Sequence, residues 1–170
     1  MVKYSDDTIY CVSNSVADFI QSTLLSKGGV QKAIRTWYTG LVIGIGFPDL
    51  TTLVPPHLAI VMIDNPAPAE NYFDDVVSES IWFDARIFAG GSDSDIENKV
   101  QRDKLLGDVK SILIGSVVPV YAWNGGTKGS ELGECAIKNV SATQLPEIGV
   151  TVAEKYQGRV RFTADFLSDI

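Results

Sequence analysis

The sequence predicts an α+β fold, a mixed, mostly antiparallel β-sheet backed by two amphipathic α-helices, in a single domain over residues 1–170. Three observations carry this expectation. Two stretches place apolar residues at helical spacing, and the stretches around them read as strands. The order is helix, strands, helix, strands, without the regular βαβ alternation of a parallel sheet. With 45% hydrophobic and 21% charged residues, 170 residues are enough for one sizeable core and too apolar for wholesale disorder.

The first helix starts where Ser5 can cap it and where Asp6 and Asp7 suit its positive end. Ile9, Val12, Val16, Phe19, Ile20, Thr23 and Leu24 form its apolar face, and Gly28-Gly29 ends it with Lys27 in the last turn. Residues 31–39, QKAIRTWYT, lean towards strand over helical extension. GLVIGIGF at 40–47 is a β-like apolar run, and FPDLTTLVPP breaks regular structure with three prolines. LAIVMI at 58–63 is apolar throughout, as in a strand covered on both faces. The acidic, proline-containing stretch 64–79 reads as a connection too long for a tight hairpin turn.

SIWFDARIFA at 80–89 alternates, with Ile81, Phe83, Ala85 and Ile87 on one side and Trp82, Asp84, Arg86 and Phe88 on the other. Gly90-Gly91 stops this strand, and Ser92 or Asp93 caps the second helix. Its expected buried stripe is Ile96, Val100, Leu105, Val109, Ile112 and Leu113; Glu97, Lys99, Arg102, Asp103 and Lys110 make the charged face. Strands follow at 117–123, 134–142 and 158–167, separated by a mobile glycine-rich loop, NGGTKGSELGE, and a turn, TQLPEIG.

The net charge of −7 argues against gripping nucleic acid, because that binding depends on Lys and Arg displacing condensed counterions. No apolar run approaches the roughly 20 residues needed to span a bilayer. The N-terminus, MVKYSDDTIYCV, shows no signal-peptide pattern, so a cytoplasmic chain is expected. Cys11 and Cys135 then read as small buried hydrophobes, with a disulfide left open but unsupported.

No catalytic, cofactor-binding or metal-binding constellation emerges. Gly40 to Gly46 has the order GxxxGxG and runs into Phe47-Pro48, so it matches neither a dinucleotide fingerprint nor a P-loop. A strand bulge or close backbone approach explains these glycines better than a phosphate site. His57 stands without catalytic or zinc partners. Asp93, Asp95 and Glu97 imitate a calcium loop, but Asn98 and Lys104 occupy the positions of its turn glycine and its bidentate Glu, so helix capping accounts for the acids. Asp74-Asp75 reads as a solvated loop pair.

Three segments in succession carry a resemblance: PPHLAIVMI at 55–63, SIWFDARIFAGGSDSDIENKVQRDKLLGDVKSIL at 80–113, and ECAIKNVSA at 134–142 followed by QLPE and GRVRFTADF at 158–166. Their order, behind an N-terminal amphipathic helix, resembles the tail terminator (tail completion) proteins of tailed bacteriophages. The resemblance implies a virion protein without enzymatic activity or cofactor, assembled in the host cytoplasm. It forms a ring, as a homohexamer, that ends tail-tube growth and offers the head-joining surface. Its implied partners are further copies of itself, the tail tube protein and a head–tail connector or stopper protein. DNA passes through the lumen without specific binding. The lengths of 30–58 and 124–133 leave open another neck ring, a stopper or adaptor.

Exposed aromatic and arginine residues on strand faces are the candidates for ring contacts: Trp82, Arg86, Arg159 and Arg161. Their bland reading is ordinary packing and surface charge, and for Trp82 core packing is preferred. Asp64, Glu70, Asp74, Asp75 and Glu79 are the candidates for an acidic lumen wall or a tube-docking loop, weighed equally against a solvated loop. Two further readings stand beside the ring: a small nucleotide-binding α/β enzyme using Gly40–Gly46, and an adaptor offering a sheet edge to a peptide.

Overall fold

A computed structural model of the chain describes residues 6–26, 41–63, 71–73, 76–146 and 155–169. The helices are α1 (Asp6–Ser26) and α2 (Asp95–Leu113). The strands are β1 (Val42–Ile45), β2 (His57–Met62), β3 (Asn71–Phe73), β4 (Val76–Ala89), β5 (Val117–Asn124), β6 (Thr127–Gln144) and β7 (Tyr156–Asp169). They form one sheet in the order β1-β2-β4-β7-β6-β5, with β3 paired to the start of β4. Only the β1–β2 pair is parallel. This is the α+β architecture the sequence predicts. Ser5, Gly28-Gly29 and the 31–39 stretch lie outside the described residues.

β4 and β7 pair along their full length, from Val76 opposite Asp169 to Ala89 opposite Tyr156. Side chains on a strand alternate between faces, so this ladder sorts the whole sheet. On one face Ile81, Phe83, Ala85 and Ile87 meet Val160, Phe162, Ala164 and Phe166, all buried. Phe83 and Phe162 are directly opposed and stack with centroids 5.6 Å apart. Both helices cover this face: Val12, Val16, Ile20 and Leu24 from α1 and Leu105, Val109, Ile112 and Leu113 from α2 join the same core.

α1 packs along β5, and a buried hydroxyl fixes it there. Ser15 Oγ accepts from Tyr121 N at 2.9 Å and from Trp123 Nε1 at 3.1 Å. β5 slips register against β6 on either side of Tyr121, and the helix serine satisfies the amide at that irregularity.

Several sequence expectations are corrected. The 124–134 stretch is not a loop: Asn124 pairs with Thr127 across Gly125-Gly126, and β6 starts at once. Gly125 has φ +59°, the left-handed conformation a two-residue hairpin turn requires. The 64–79 connection contains β3 and the first residues of β4, with Phe73 opposite Val76. β2 is covered on both faces only over Leu58, Ala59 and Ile60, since Met62 is exposed.

α2 is capped by Ser94, whose Oγ accepts from Glu97 N at 3.4 Å, rather than by Ser92 or Asp93. Ser92 braces the cap, with its amide donating to Asn98 Oδ1 at 2.9 Å and its carbonyl accepting from Asn98 Nδ2 at 2.8 Å. That double bond turns Asn98 inward. Ile96 (75% exposed) and Val100 (43% exposed) therefore face outward instead of forming the start of the buried stripe. Arg102, expected on the charged face, is buried and pairs with Asp103 at 3.0 Å.

Cys11 and Cys135 are buried free thiols. Burial, assisted by Asp165, pushes the Cys135 thiol up to about 12. Neither cysteine should react with Ellman's reagent in the native protein, and both should react once urea unfolds it; fast native reaction at Cys135 would contradict the packing. Gly158 lies against α2, where an added Cβ would sit 2.7 Å from both methyl carbons of Leu106 and 2.8 Å from its Cγ. Gly158→Ala should cost about 1–3 kcal/mol of stability, seen as a lower urea midpoint at unchanged slope.

Candidate functional site

The face of the β4–β7 ladder opposite the helices carries a run of polar strand residues. Its cross-strand pairs run Ser80–Asp165, Trp82–Thr163, Asp84–Arg161, Arg86–Arg159 and Phe88–Gln157. β2 adds Val61 beside Asp84, Ala59 beside Arg86 and His57 beside Phe88. All four sequence candidates, Trp82, Arg86, Arg159 and Arg161, thus stand on one face, within three consecutive rungs. Trp82 is half-buried here and belongs to this face, not to the core under the helices, which corrects the preference for core packing.

The rungs differ in how their charges are met. Arg161 donates from Nε to Asp84 Oδ1 at 3.0 Å and from an outer nitrogen to Asp84 Oδ2 at 3.3 Å, a forked pair with a buried carboxylate. The Asp84 hydrogen bond holds the Arg161 guanidinium above its ordinary value. Arg86 is pushed down by burial; Asp84 opposes that shift, and Arg159 and Arg161 add to it. One outer nitrogen of Arg86 donates to Gln157 Oε1 at 3.1 Å, but its buried Nε has no partner among the described residues. The Arg159 side chain makes no hydrogen bond or ion pair with any described residue.

At the far end of the same face Asp165 accepts from Ser80 Oγ at 2.6 Å and pairs with Lys138 at 3.1 Å. A bulge in β6 beyond Lys138 puts Asn139 at φ +56°, and its side-chain amide donates to Thr163 Oγ1 at 3.2 Å. The charges at this end are matched; those around Arg86 and Arg159 are not.

Sequence reasoning missed the aromatic corner of the site. Phe47, 53% exposed, meets Phe88 edge-on at 6.0 Å and lies 5.3 Å from the Arg86 guanidinium. His57 sits beside Phe88 with ring centres 6.2 Å apart. The outward positions of His57 and Phe88 in their strands were a usable signal. Phe47 was not, because it reaches the site from an irregular segment after β1.

Gly44 and Gly46 serve this corner. A Cβ at Gly44 would meet the His57 ring at 3.6 Å, and Gly46 turns the chain with φ +82°. β1 then runs into turns, so no helix N-terminus forms there to offer amides to a phosphate. Gly40 lies outside the described residues.

Of the acidic candidates, Asp64, Glu70, Asp74 and Asp75 also lie outside the described residues. Glu79 stands on β4 opposite Phe166, with only its backbone position described. Asp95 and Glu97 serve the helix start: Asp95 accepts from Tyr156 Oη at 2.6 Å and Glu97 from Ser92 Oγ at 2.5 Å. Among the described residues no three His, Cys, Asp or Glu side chains gather as a metal site, and no helix is long and apolar enough to cross a membrane.

Compared with known proteins, the chain matches no family model and no curated protein. Arg86 bonds Gln157 and lies against the exposed Phe47 ring, and guanidinium and aromatic groups of this kind are enriched at interface cores.

Burial pushes the His57 imidazole below its ordinary value of 6.5. The unfolded chain then binds a proton at higher pH than the folded one, so this histidine removes stability as pH falls below about 6.5 and has no effect well above it. His57→Gln should reduce the loss of urea midpoint between about pH 7.5 and about pH 5.5. An unchanged loss would place the pH sensitivity elsewhere.

Proposed function

We propose that this chain is a structural ring protein of a tailed-phage tail or neck, of the tail terminator kind, acting by assembly and not by catalysis. The observation that carries the reading is the polar, half-buried face of the β4–β7 ladder. Trp82, Arg86, Arg159 and Arg161 share a strand surface opposite the helices, where a neighbouring subunit can be held by aromatic and guanidinium contacts. The order of segments that resembles tail terminators supports the same reading, as does the match between the expected and the observed α+β architecture.

In this reading copies of the chain close into a ring, probed by the tail tube on one side and by the head connector or stopper on the other, within the virion. The chain's net charge of −7 suits a lumen that DNA crosses without being held. Asp64, Glu70, Asp74, Asp75 and Glu79 supply acidic groups for such a wall or for tube docking.

Light scattering over a range of concentrations, followed by negative-stain imaging, should show closed rings of about six subunits, alone or seated on tail tubes. A chain that stays monomeric and leaves tail tubes unbound would overturn the reading. So would a deletion mutant that still makes head-joined tails of normal length.

A further inference from the structure

Arg86 and Arg159 are directly opposed on neighbouring strands, and like charges so placed repel each other. Asp84 on the adjacent rung offsets only part of this, because Arg161 engages both its oxygens. On the other side Gln157 accepts one Arg86 hydrogen bond but brings no charge. Arg86 Nε is buried without a partner among the described residues, and Phe47 holds the guanidinium from one side. The pair is therefore oriented, only partly compensated and beside an exposed ring. Its planar forks fit a carboxylate.

The chain also contains a stretch of opposite character. Residues 64–79 hold Asp64, Glu70, Asp74, Asp75 and Glu79, and no Lys or Arg. Asp75 directly precedes Val76, the first residue of β4, whereas Arg86 stands ten residues further along the same extended strand. At about 3.4 Å per residue this separates Val76 from Arg86 by about 34 Å. The start of β4 thus lies far from Arg86 and Arg159 of the same copy.

We propose that Arg86 and Arg159 form a carboxylate receptor whose ligand is the acidic 64–79 segment of a second copy of this chain. An acidic segment that precedes β4 in sequence and arginines near the other end of β4 suit a head-to-tail contact. Two arginine faces meeting about a two-fold axis would repel, which disfavours a symmetric dimer through this face. A polyphosphate ligand is disfavoured by the net charge of −7. The choice of a second copy as partner rests on the ring reading above.

The test is calorimetry with a synthetic peptide of residues 64–79, titrated into the full chain in its lowest-mass state, with inorganic phosphate and a single-stranded oligonucleotide as the other ligands. The peptide should bind saturably, tenfold or more weakly to Arg159→Glu, and more weakly at about 200 mM than at about 50 mM salt. Arg159→Glu should keep the wild-type urea midpoint to within a small shift, so that lost binding is not lost folding. In the full chain, Arg159→Glu and the pair Asp74→Lys with Asp75→Lys should each lower the assembled mass, and their combination should restore it.

Equal peptide binding by wild type and Arg159→Glu, no peptide binding, or tighter binding of phosphate or oligonucleotide would each overturn the proposal. The two readings fail separately. Peptide bound at Arg159 by a chain that never assembles keeps the carboxylate receptor and removes the ring. A ring whose mass is untouched by Arg159→Glu keeps the ring and overturns the receptor.

Discussion

The long antiparallel ladder between β4 and β7 is the constraint on which the rest of the molecule depends. Each strand is 14 residues long, and they pair from end to end without a register shift. Because side chains alternate, a slip of one residue would exchange the two faces. Both faces resist that slip. On one, Phe83 and Phe162 stack within the core; on the other, Asp84 and Arg161 form a forked ion pair. The pair is worth little as an isolated surface bridge, but its carboxylate is buried, so losing the arginine partner would leave an uncompensated charge.

Around this ladder the remaining elements are fixed by local devices of different kinds. The Ser15 hydroxyl ties α1 to β5 at an irregularity of the sheet edge. Ser94, Ser92 and Asn98 satisfy the start of α2, which places Leu105, Val109 and Ile112 over the ladder. Gly158 leaves room for Leu106 to approach β7. These devices gather the helices on one face. The arginines and Trp82 are then left on the opposite face of the same ladder.

Charge is distributed against the average. An acidic chain concentrates Arg86, Arg159 and Arg161 on adjacent rungs with a single carboxylate between them. Repulsion within the group is a cost to the isolated fold. Such a conflict between local stability and arrangement is where function is expected. The acidic stretch that precedes β4 in sequence carries the complementary sign on the same polypeptide.

Much of this was legible in one dimension. Alternation along 80–89 assigned Ile81, Phe83, Ala85 and Ile87 to one side and Trp82 and Arg86 to the other, because a strand's two-residue period is a local property. The same holds for α1, whose face Val12, Val16, Ile20 and Leu24 is buried as its spacing required. Other features depended on contacts between distant segments. Ile96 and Val100 have helical spacing yet face outward, because Ser92 draws Asn98 inward. The glycines at 125, 126 and 129 resemble a loop, but β5 gives the chain after Gly126 a partner strand, and pairing overrides weak intrinsic strand preference. Phe47 joins Arg86 from a segment with no regular period. Which arginine would receive the one nearby carboxylate was likewise open until β4 and β7 were in register: Asp84 faces Arg161, and Arg86 faces Arg159. Periodicity reports the face on which a residue stands, whereas its neighbour across the strand is set only when the chain closes over long distances.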